Sequence, residues 1–178
     1  MHRRAFLLLP LGLALSACGA GQIEAPPGAY VIRPSDAKRI EARMRDEINM
    51  RRGFEGLVPL TYDSALTQAA ALHAVDMSFQ NRPWHWGSDG SSPVERVRRA
   101  GYAGRFLGQT ISESFEDELI TLDAWMDQPD TRAVIMDPEA RDMGFAWYQE
   151  PNTGKLWWTL VTGTTEVAPG PFPMAAAF

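Results

Sequence analysis

The sequence predicts an α+β domain, with helices first and an antiparallel sheet after them. Apolar residues spaced four apart recur through the first two thirds of the chain, which is the period of an amphipathic helix. Short runs rich in aromatic and β-branched residues follow, and the turn sequence Pro151-Asn152-Thr153-Gly154 separates two of them. Helices that pack on one antiparallel sheet define the α+β class.

Two long helices are predicted before the midpoint of the chain. The first begins at residues 35–36, and Gly53 is expected to end it after Arg52, because glycine favours helix termini. The second begins at residues 63–64, where an aspartate and a serine can cap it. The apolar faces of these two helices are predicted to carry Ile40, Met44, Ile48, Leu66, Ala69, Ala70, His73 and Met77.

Two shorter helices and the strands complete the predicted domain. Ser92-Pro93-Val94-Glu95 is a capping box with proline at the first helical position, so a third helix runs from it towards Gly101. A fourth helix is predicted from about Glu116 to Met126. The strands are predicted at Phe145–Gln149 and Leu156–Thr162, with shorter ones at Val58–Leu60 and Gly108–Ser112.

Composition excludes several classes of protein. The 178 residues leave room for one domain, and 45% hydrophobic with 22% charged residues is a normal globular mixture rather than a disordered one. A net charge of −5 argues against nucleic acid as a partner. One cysteine forms no intrachain disulfide, and three histidines limit every metal or catalytic proposal.

The first 18 residues predict export and lipid attachment. Arg3 and Arg4 precede a short apolar run, which is typical of a signal peptide and is too short to span a bilayer. The sequence Leu15-Ser16-Ala17-Cys18 resembles a bacterial lipobox, so Cys18 is the expected lipidation site and the link to the membrane. Gly19 after it favours the outer membrane, facing the periplasm, in a cell with two membranes. The paired arginines leave general and twin-arginine export open.

The predicted organisation has four parts. Residues 1–17 are a lipoprotein signal peptide, and residues 18–34, rich in glycine and proline, are a flexible tether. Residues 35–165 form the folded domain. Residues 166–178 are a poorly ordered tail.

Five short motifs occur in the order found in one known family. Residues 57–66 (LVPLTYDSAL), 85–93 (HWGSDGSSP, followed by Arg96 and Gly101-Tyr102), 108–111 (GQTI), 125–132 (WMDQPDTR) and 135–145 (IMDP, then MGF) carry the likeness. This arrangement resembles the CAP superfamily, which includes cysteine-rich secretory proteins, insect venom antigens, plant pathogenesis-related proteins of group 1 and bacterial SCP-like proteins. The resemblance covers residues 36–163 and implies an α-β-α sandwich with a central antiparallel sheet.

The resemblance also implies a cleft with two histidines and two glutamates that hold a divalent metal in some members. In this chain the first histidine corresponds to His85, the glutamate of the Gly-Glu-Asn-Ile motif to Gln109, and the second histidine to Thr131. The helical glutamate of eukaryotic members corresponds to Gln128. One of the four side chains is kept, so we expect a degenerate site that binds no metal, unless Glu113 compensates for Gln109.

The residues leave two roles open for the cleft. His85 either stabilises its own loop, through Asp89 or the neighbouring tryptophans, or contacts a ligand in the cleft.

A basic cluster is either a solvated helix face or a contact for an anionic glycan or lipid headgroup. It contains Arg96, Arg98, Arg99 and Arg105.

Three functions remain open at the level of the sequence. The favoured hypothesis is a non-enzymatic envelope lipoprotein whose cleft at His85, Gln109, Thr131 and Glu113 binds a lipid, a glycan or a protein. The alternatives are a structural envelope protein with a vestigial cleft, and a divalent-metal-assisted hydrolase such as a peptidase. No catalytic residue or cofactor is assigned, and a monomer is expected.

Overall fold

A computed structural model describes residues 23–165 of the chain. The predicted signal peptide, Cys18 and the predicted C-terminal tail lie outside the described residues. Short connections separate five α-helices and four β-strands in this part of the chain. The helices are α1 (Ala37–Phe54), α2 (Ser64–Gln80), α3 (Pro93–Arg99), α4 (Glu118–Asp127) and α5 (Pro129–Ile135). The strands are β1 (Thr61–Tyr62), β2 (Arg105–Ser114), β3 (Asp142–Gln149) and β4 (Leu156–Thr164).

The four strands form one sheet in the order β1-β3-β4-β2. β3 and β4 form the predicted antiparallel hairpin, in which Phe145 lies opposite Leu160, and β2 continues the sheet antiparallel to β4. β1 pairs with β3 in the parallel direction, so the sheet is mixed at that edge. The α+β class predicted from the sequence is confirmed.

Helices cover both faces of the sheet, and this arrangement confirms the predicted α-β-α sandwich. On one face, α1, α4 and α5 contribute Ile40, Leu122 and Ile135 to a core that contains Phe145 and Trp158. On the other face, Leu66 and Met77 of α2 pack in clusters that contain alternate strand residues, such as Val161 and Trp157. Alternation along each strand therefore divides its side chains between two helical layers.

The structure moves several predicted boundaries. α1 continues through Gly53 to Phe54, and the left-handed backbone that follows is at Gly56, with a φ of 70°. The short first strand lies at Thr61–Tyr62 rather than at Val58–Leu60. α5 was not predicted from the sequence; it begins at Pro129, because proline is favourable at the first helical position.

The segment before α1 lies against the domain, whereas the sequence predicted a flexible tether up to residue 34. The Glu24 amide donates to the Pro151 carbonyl (2.7 Å), and Ile32 is only 9% exposed. Gln149 holds the same segment, since its amide oxygen accepts from Ile32 N (2.9 Å) and its nitrogen donates to Tyr30 O (2.7 Å). The proline and glycine content of this segment indicated an extended chain. It gave no sign that Gln149 of β3 would bind the segment to the domain.

None of the helices among residues 23–165 is both long and apolar enough to cross a bilayer.

Candidate functional site

His85 lies in the loop that follows α2, and the start of this loop is fixed by the helix. Asn81 ends α2 in a left-handed conformation (φ 47°). Two residues of α2 then bind Trp84: its carbonyl is 2.9 Å from Nε2 of His73, and its indole nitrogen donates to Gln80 Oε1 at 2.7 Å. His85 follows directly and is exposed to solvent.

The second half of the loop folds back onto α2 through Asp76. This carboxylate accepts hydrogen bonds from the Ser88 amide and from the Gln80 side chain, both at 2.8 Å. Gly87 N donates to Ser91 O (2.8 Å). A Cβ at Gly87 would lie 2.5 Å from the Ser91 hydroxyl, so the loop is closely packed at this position. Both sides of His85 are therefore held in place.

Gln109 reaches the site from the edge strand β2. Its Cα lies opposite Val161 of β4, so its side chain is on the sheet face that α2 covers. Gln109 is 8% exposed, and a buried amide needs hydrogen-bond partners. Arg96 and His85 supply them.

Arg96 joins the loop to the strand. α3 begins with the predicted capping box, in which Ser92 and Glu95 satisfy each other's backbone amides, and Val97 packs into the core. This places the Arg96 guanidinium between the two sides of the site. It donates to Ser91 O at 2.9 Å, His85 O at 2.8 Å and Gln109 Oε1 at 3.0 Å.

His85 completes a chain of three side chains. Its Nδ1 lies 3.1 Å from Nε2 of Gln109, whose oxygen is bound to Arg96. Desolvation by the protein atoms around the ring, followed by the positive charge of Arg96, lowers the pKa of His85 below its ordinary value. The imidazole is therefore neutral at physiological pH.

The other two residues of the predicted cleft make their contacts elsewhere. The Thr131 hydroxyl, on α5, donates to the main-chain oxygen of Trp125 (2.5 Å). Glu113 lies four residues beyond Gln109 along β2 and forms an ion pair with Lys155 (2.7 Å). Gln128 is exposed at the residue before α5. Of the predicted set, the described contacts join only His85 and Gln109 directly.

The side chains at this site do not suit a divalent metal. A tight zinc site needs three or four nitrogen, sulfur or carboxylate ligands. The three residues that meet here supply one imidazole, one neutral amide and one guanidinium, which is a cation. Within the described residues 23–165, no group of three His, Cys, Asp or Glu side chains is arranged to hold a metal ion.

Arg96 is the site residue whose role the sequence analysis missed. It was noted as part of a motif and of a basic cluster, with a solvated helix face as one interpretation. Instead it is partly buried, and it lines a pocket of about 350 Å³ between α2 and α3. Its signals in the sequence were its place in that motif and its position four residues after the capping Ser92, and neither determined the direction of its side chain.

Comparison with solved structures finds the same fold in an outer surface protein and in an extracellular protein of two bacteria. An outer surface protein from Borrelia burgdorferi is similar with a TM-score of 0.63 and 17% identity, covering 78% of this chain and 99% of that one. An extracellular protein with an SCP domain from Bacillus anthracis str. Ames has a TM-score of 0.64 and 19% identity, covering 77% of this chain and 45% of that one. At these identities the likeness concerns the fold alone.

Sequence comparison gives the family. YkwD from Bacillus subtilis (strain 168) is 24% identical over 124 residues, which make up 70% of this chain and 47% of that protein. This chain thus spans about half the length of the curated relative that it matches. The model of the cysteine-rich secretory protein family, CAP, matches residues 45–162, which include the whole His85 site. The resemblance noted from the motifs is confirmed, and the chain belongs to the CAP family.

Proposed function

We propose that this protein is an exported, lipid-anchored envelope protein whose CAP domain binds a ligand through the His85 site without catalysing a reaction. The observation that carries the proposal is the hydrogen-bonded chain of Arg96, Gln109 and His85. In this hydrogen-bonded chain, a buried amide and a partly buried guanidinium hold an exposed imidazole in one orientation. A site organised in this way suits recognition by hydrogen bonding.

The chemistry of the neighbouring groups supports binding over catalysis. A hydrolytic role for His85 would need a nucleophile or a carboxylate to work with it. Nδ1 of His85 instead faces an amide, and the nearby carboxylates Asp76 and Asp89 are bound to the loop through Ser88 and Ser91. These groups shape the loop, and no contact among the described residues joins them to the imidazole.

The surroundings of the site support a ligand with both polar and apolar parts. Trp86, next to His85, is 50% exposed, and Leu72 of α2 is 61% exposed beside the pocket that Arg96 lines. Exposed aromatic and aliphatic side chains beside fixed donors are typical of ligand sites. Lipids and envelope glycans both combine such features, and we propose them as the ligand classes.

A sedimentation experiment tests the proposal. The mature chain, residues 18–178 with Cys18→Ser to remove acylation, is mixed either with purified cell-wall glycan or with vesicles of phosphatidylethanolamine and phosphatidylglycerol. We expect one of these to retain the protein, and His85→Ala to weaken retention by about two- to tenfold, the loss of one hydrogen bond.

A second exposed residue serves as the control. Phe54 is 82% exposed at the end of α1, on the opposite layer from the site, so Phe54→Ser should leave retention unchanged. Equal retention of wild type and His85→Ala would contradict the proposal and favour a vestigial cleft.

A further inference from the structure

The Arg96 guanidinium determines which way the Gln109 amide points. An arginine side chain has five N–H donors and no acceptor, so the amide atom that faces it is the oxygen. The distance from Arg96 Nη2 to Gln109 Oε1 is 3.0 Å. Further bonds to the carbonyls of Ser91 and His85 prevent the guanidinium from turning away.

The orientation of the amide in turn determines the tautomer of His85. With its oxygen bound to Arg96, Gln109 presents its NH₂ group to Nδ1 of His85, 3.1 Å away. An amide nitrogen only donates, so Nδ1 must carry a lone pair. In a neutral imidazole the remaining proton is then on Nε2.

Nε2 of His85 is consequently a hydrogen-bond donor on an exposed side chain. The contacts of the described residues include no acceptor for it, since those of His85 are made by Nδ1 and by the main-chain oxygen. A metal ion would need a lone pair at this nitrogen. A ligand oxygen needs the proton that the arrangement places there.

We propose that Arg96 is a positioning residue that holds His85, through Gln109, as the Nε2–H tautomer, so that the site takes a ligand oxygen and rejects a metal cation. The inference rests on the proposed function, in which His85 contacts the ligand. The ligand chemistry is an accepting oxygen, such as a glycan hydroxyl or a lipid headgroup oxygen. The two arms of the sedimentation experiment distinguish these sources.

A glutamate in place of Gln109 would reverse the arrangement. A carboxylate accepts at both oxygens, so it can bind Arg96 and also accept a hydrogen bond from a protonated Nδ1 of His85. The lone pair would then lie on Nε2, the state in which histidine binds metal through that atom. The group of residue 109 that faces Nδ1 is therefore decisive. An NH₂ group there leaves a proton on Nε2 of His85, whereas an oxygen there leaves Nε2 with the lone pair that a metal would need.

Long-range ¹H–¹⁵N spectra of the imidazole rings test this directly in the mature chain with Cys18→Ser. The His85 signals are assigned by their loss in His85→Gln. For wild type we expect Nε2–H to exceed Nδ1–H by about tenfold, the population ratio that one hydrogen bond supports. Gln109→Glu should invert this ratio, because a carboxylate oxygen accepts the proton of Nδ1.

Substitutions of arginine separate positioning from a general structural role. Arg96→Met should lower the ratio of Nε2–H to Nδ1–H at His85, because the freed amide can rotate and present its oxygen to Nδ1, whereas Arg96→Lys keeps a donor-only group and should retain the wild-type ratio. Arg98→Met, on the exposed side of the same helix, is the matched control and should change nothing. If Arg96→Met does not fold, Gln109→Glu decides the question.

Nδ1–H in wild type, or Nε2–H in Gln109→Glu, would overturn the inference. Tight zinc binding by wild type that His85→Ala abolishes would overturn it as well, and would favour the hydrolase alternative. These results are independent of ligand retention. A loss of retention in His85→Ala together with Nδ1–H would leave the proposed function standing and remove the tautomer inference alone.

Discussion

His73 is a buried histidine whose environment keeps it neutral. It is fully buried on α2, and its Nε2 lies 2.9 Å from the Trp84 carbonyl, to which it donates a hydrogen bond. Burial, and to a smaller extent the charge of Arg96, lowers the pKa of His73 from 6.5 to about 4. This residue links the core to the loop of the His85 site, so its protonation affects both.

The lowered pKa predicts a stability that falls with acidification. The unfolded chain binds the His73 proton near 6.5 and the folded chain only near 4, so stability is present above pH 6.5 and is lost as the pH falls from 6.5 towards 4. We expect the free energy of unfolding to fall by about 2 kcal/mol between about pH 7.5 and about pH 5 from this residue. Urea unfolding at the two pH values measures it.

The variant His73→Gln provides the comparison, because glutamine can donate to the Trp84 carbonyl and does not titrate. Its pH dependence should be smaller than that of wild type by the same amount. Equal pH dependence in the two proteins would show that His73 does not titrate with a lowered pKa.

At this scale the sequence could show what the site lacks, but not what holds it together. The amide at residue 109 and the hydroxyl at residue 131 were visible as losses of ligands from a familiar motif. The contact between Arg96 and Gln109 depends on the rotation of α3 against the edge of β2, which no spacing within one element encodes. The Thr131 hydroxyl instead donates to the main-chain oxygen of Trp125, six residues earlier in the chain.

Among the elements, those with their own local signals were the ones that could be predicted. The capping box of α3, the aspartate cap of α2 and the β3–β4 hairpin are each specified by neighbouring residues, and the structure contains all three. β1 has two residues and exists because β3 pairs with it in parallel. Such pairing depends on distant residues, so it left no periodic pattern.

A fully buried arginine shows how tertiary contacts set an element boundary. Arg52 is 0% exposed, and its guanidinium donates to four main-chain oxygens in the connections around α1 and α5. It thereby keeps the last turn of α1 in the core, where the sequence predicted that the helix would end. Its acceptors are the carbonyls of Val58, Ile135, Asp137 and Ala140.

Gln149 is the side chain that binds two main-chain groups of the segment before α1, and this gives an element-scale prediction. Gln149→Leu would remove the partners of Ile32 N and Tyr30 O while keeping an apolar side chain of similar size. We expect a loss of about 1–3 kcal/mol in stability, the cost of leaving such groups unpaired. Hydrogen exchange at the Ile32 amide should accelerate first.

Asn152→Ala is a suitable control, because Asn152 lies in the exposed turn of the same hairpin. It should leave exchange at Ile32 unchanged. Unchanged exchange in Gln149→Leu as well would mean that burial of Ile32, rather than the amide of Gln149, holds the segment.

At the scale of the whole molecule, the docked segment bears on the proposed lipid anchor. Cys18 and Glu24 are six residues apart, and a chain of that length spans at most about 20 Å. Glu24 is bound to Pro151 in the β3–β4 turn. A lipid on Cys18 would therefore keep that end of the sheet near the membrane surface, with much less freedom than a tether running to residue 34.

The anchor is tested by acylation of the full chain. We expect cells that express wild type to incorporate labelled palmitate into the protein and Cys18→Ala to incorporate none, because Cys18 is the one thiol in the chain. Each acyl methylene contributes about 0.8 kcal/mol of membrane affinity, so the labelled form should fractionate with membranes. Ser16→Ala, which keeps the cysteine, should label like wild type. Acylation is the deciding measurement, because an uncleaved signal peptide can itself retain Cys18→Ala at the membrane. A wild-type protein that incorporates no label would contradict the proposed lipid anchor.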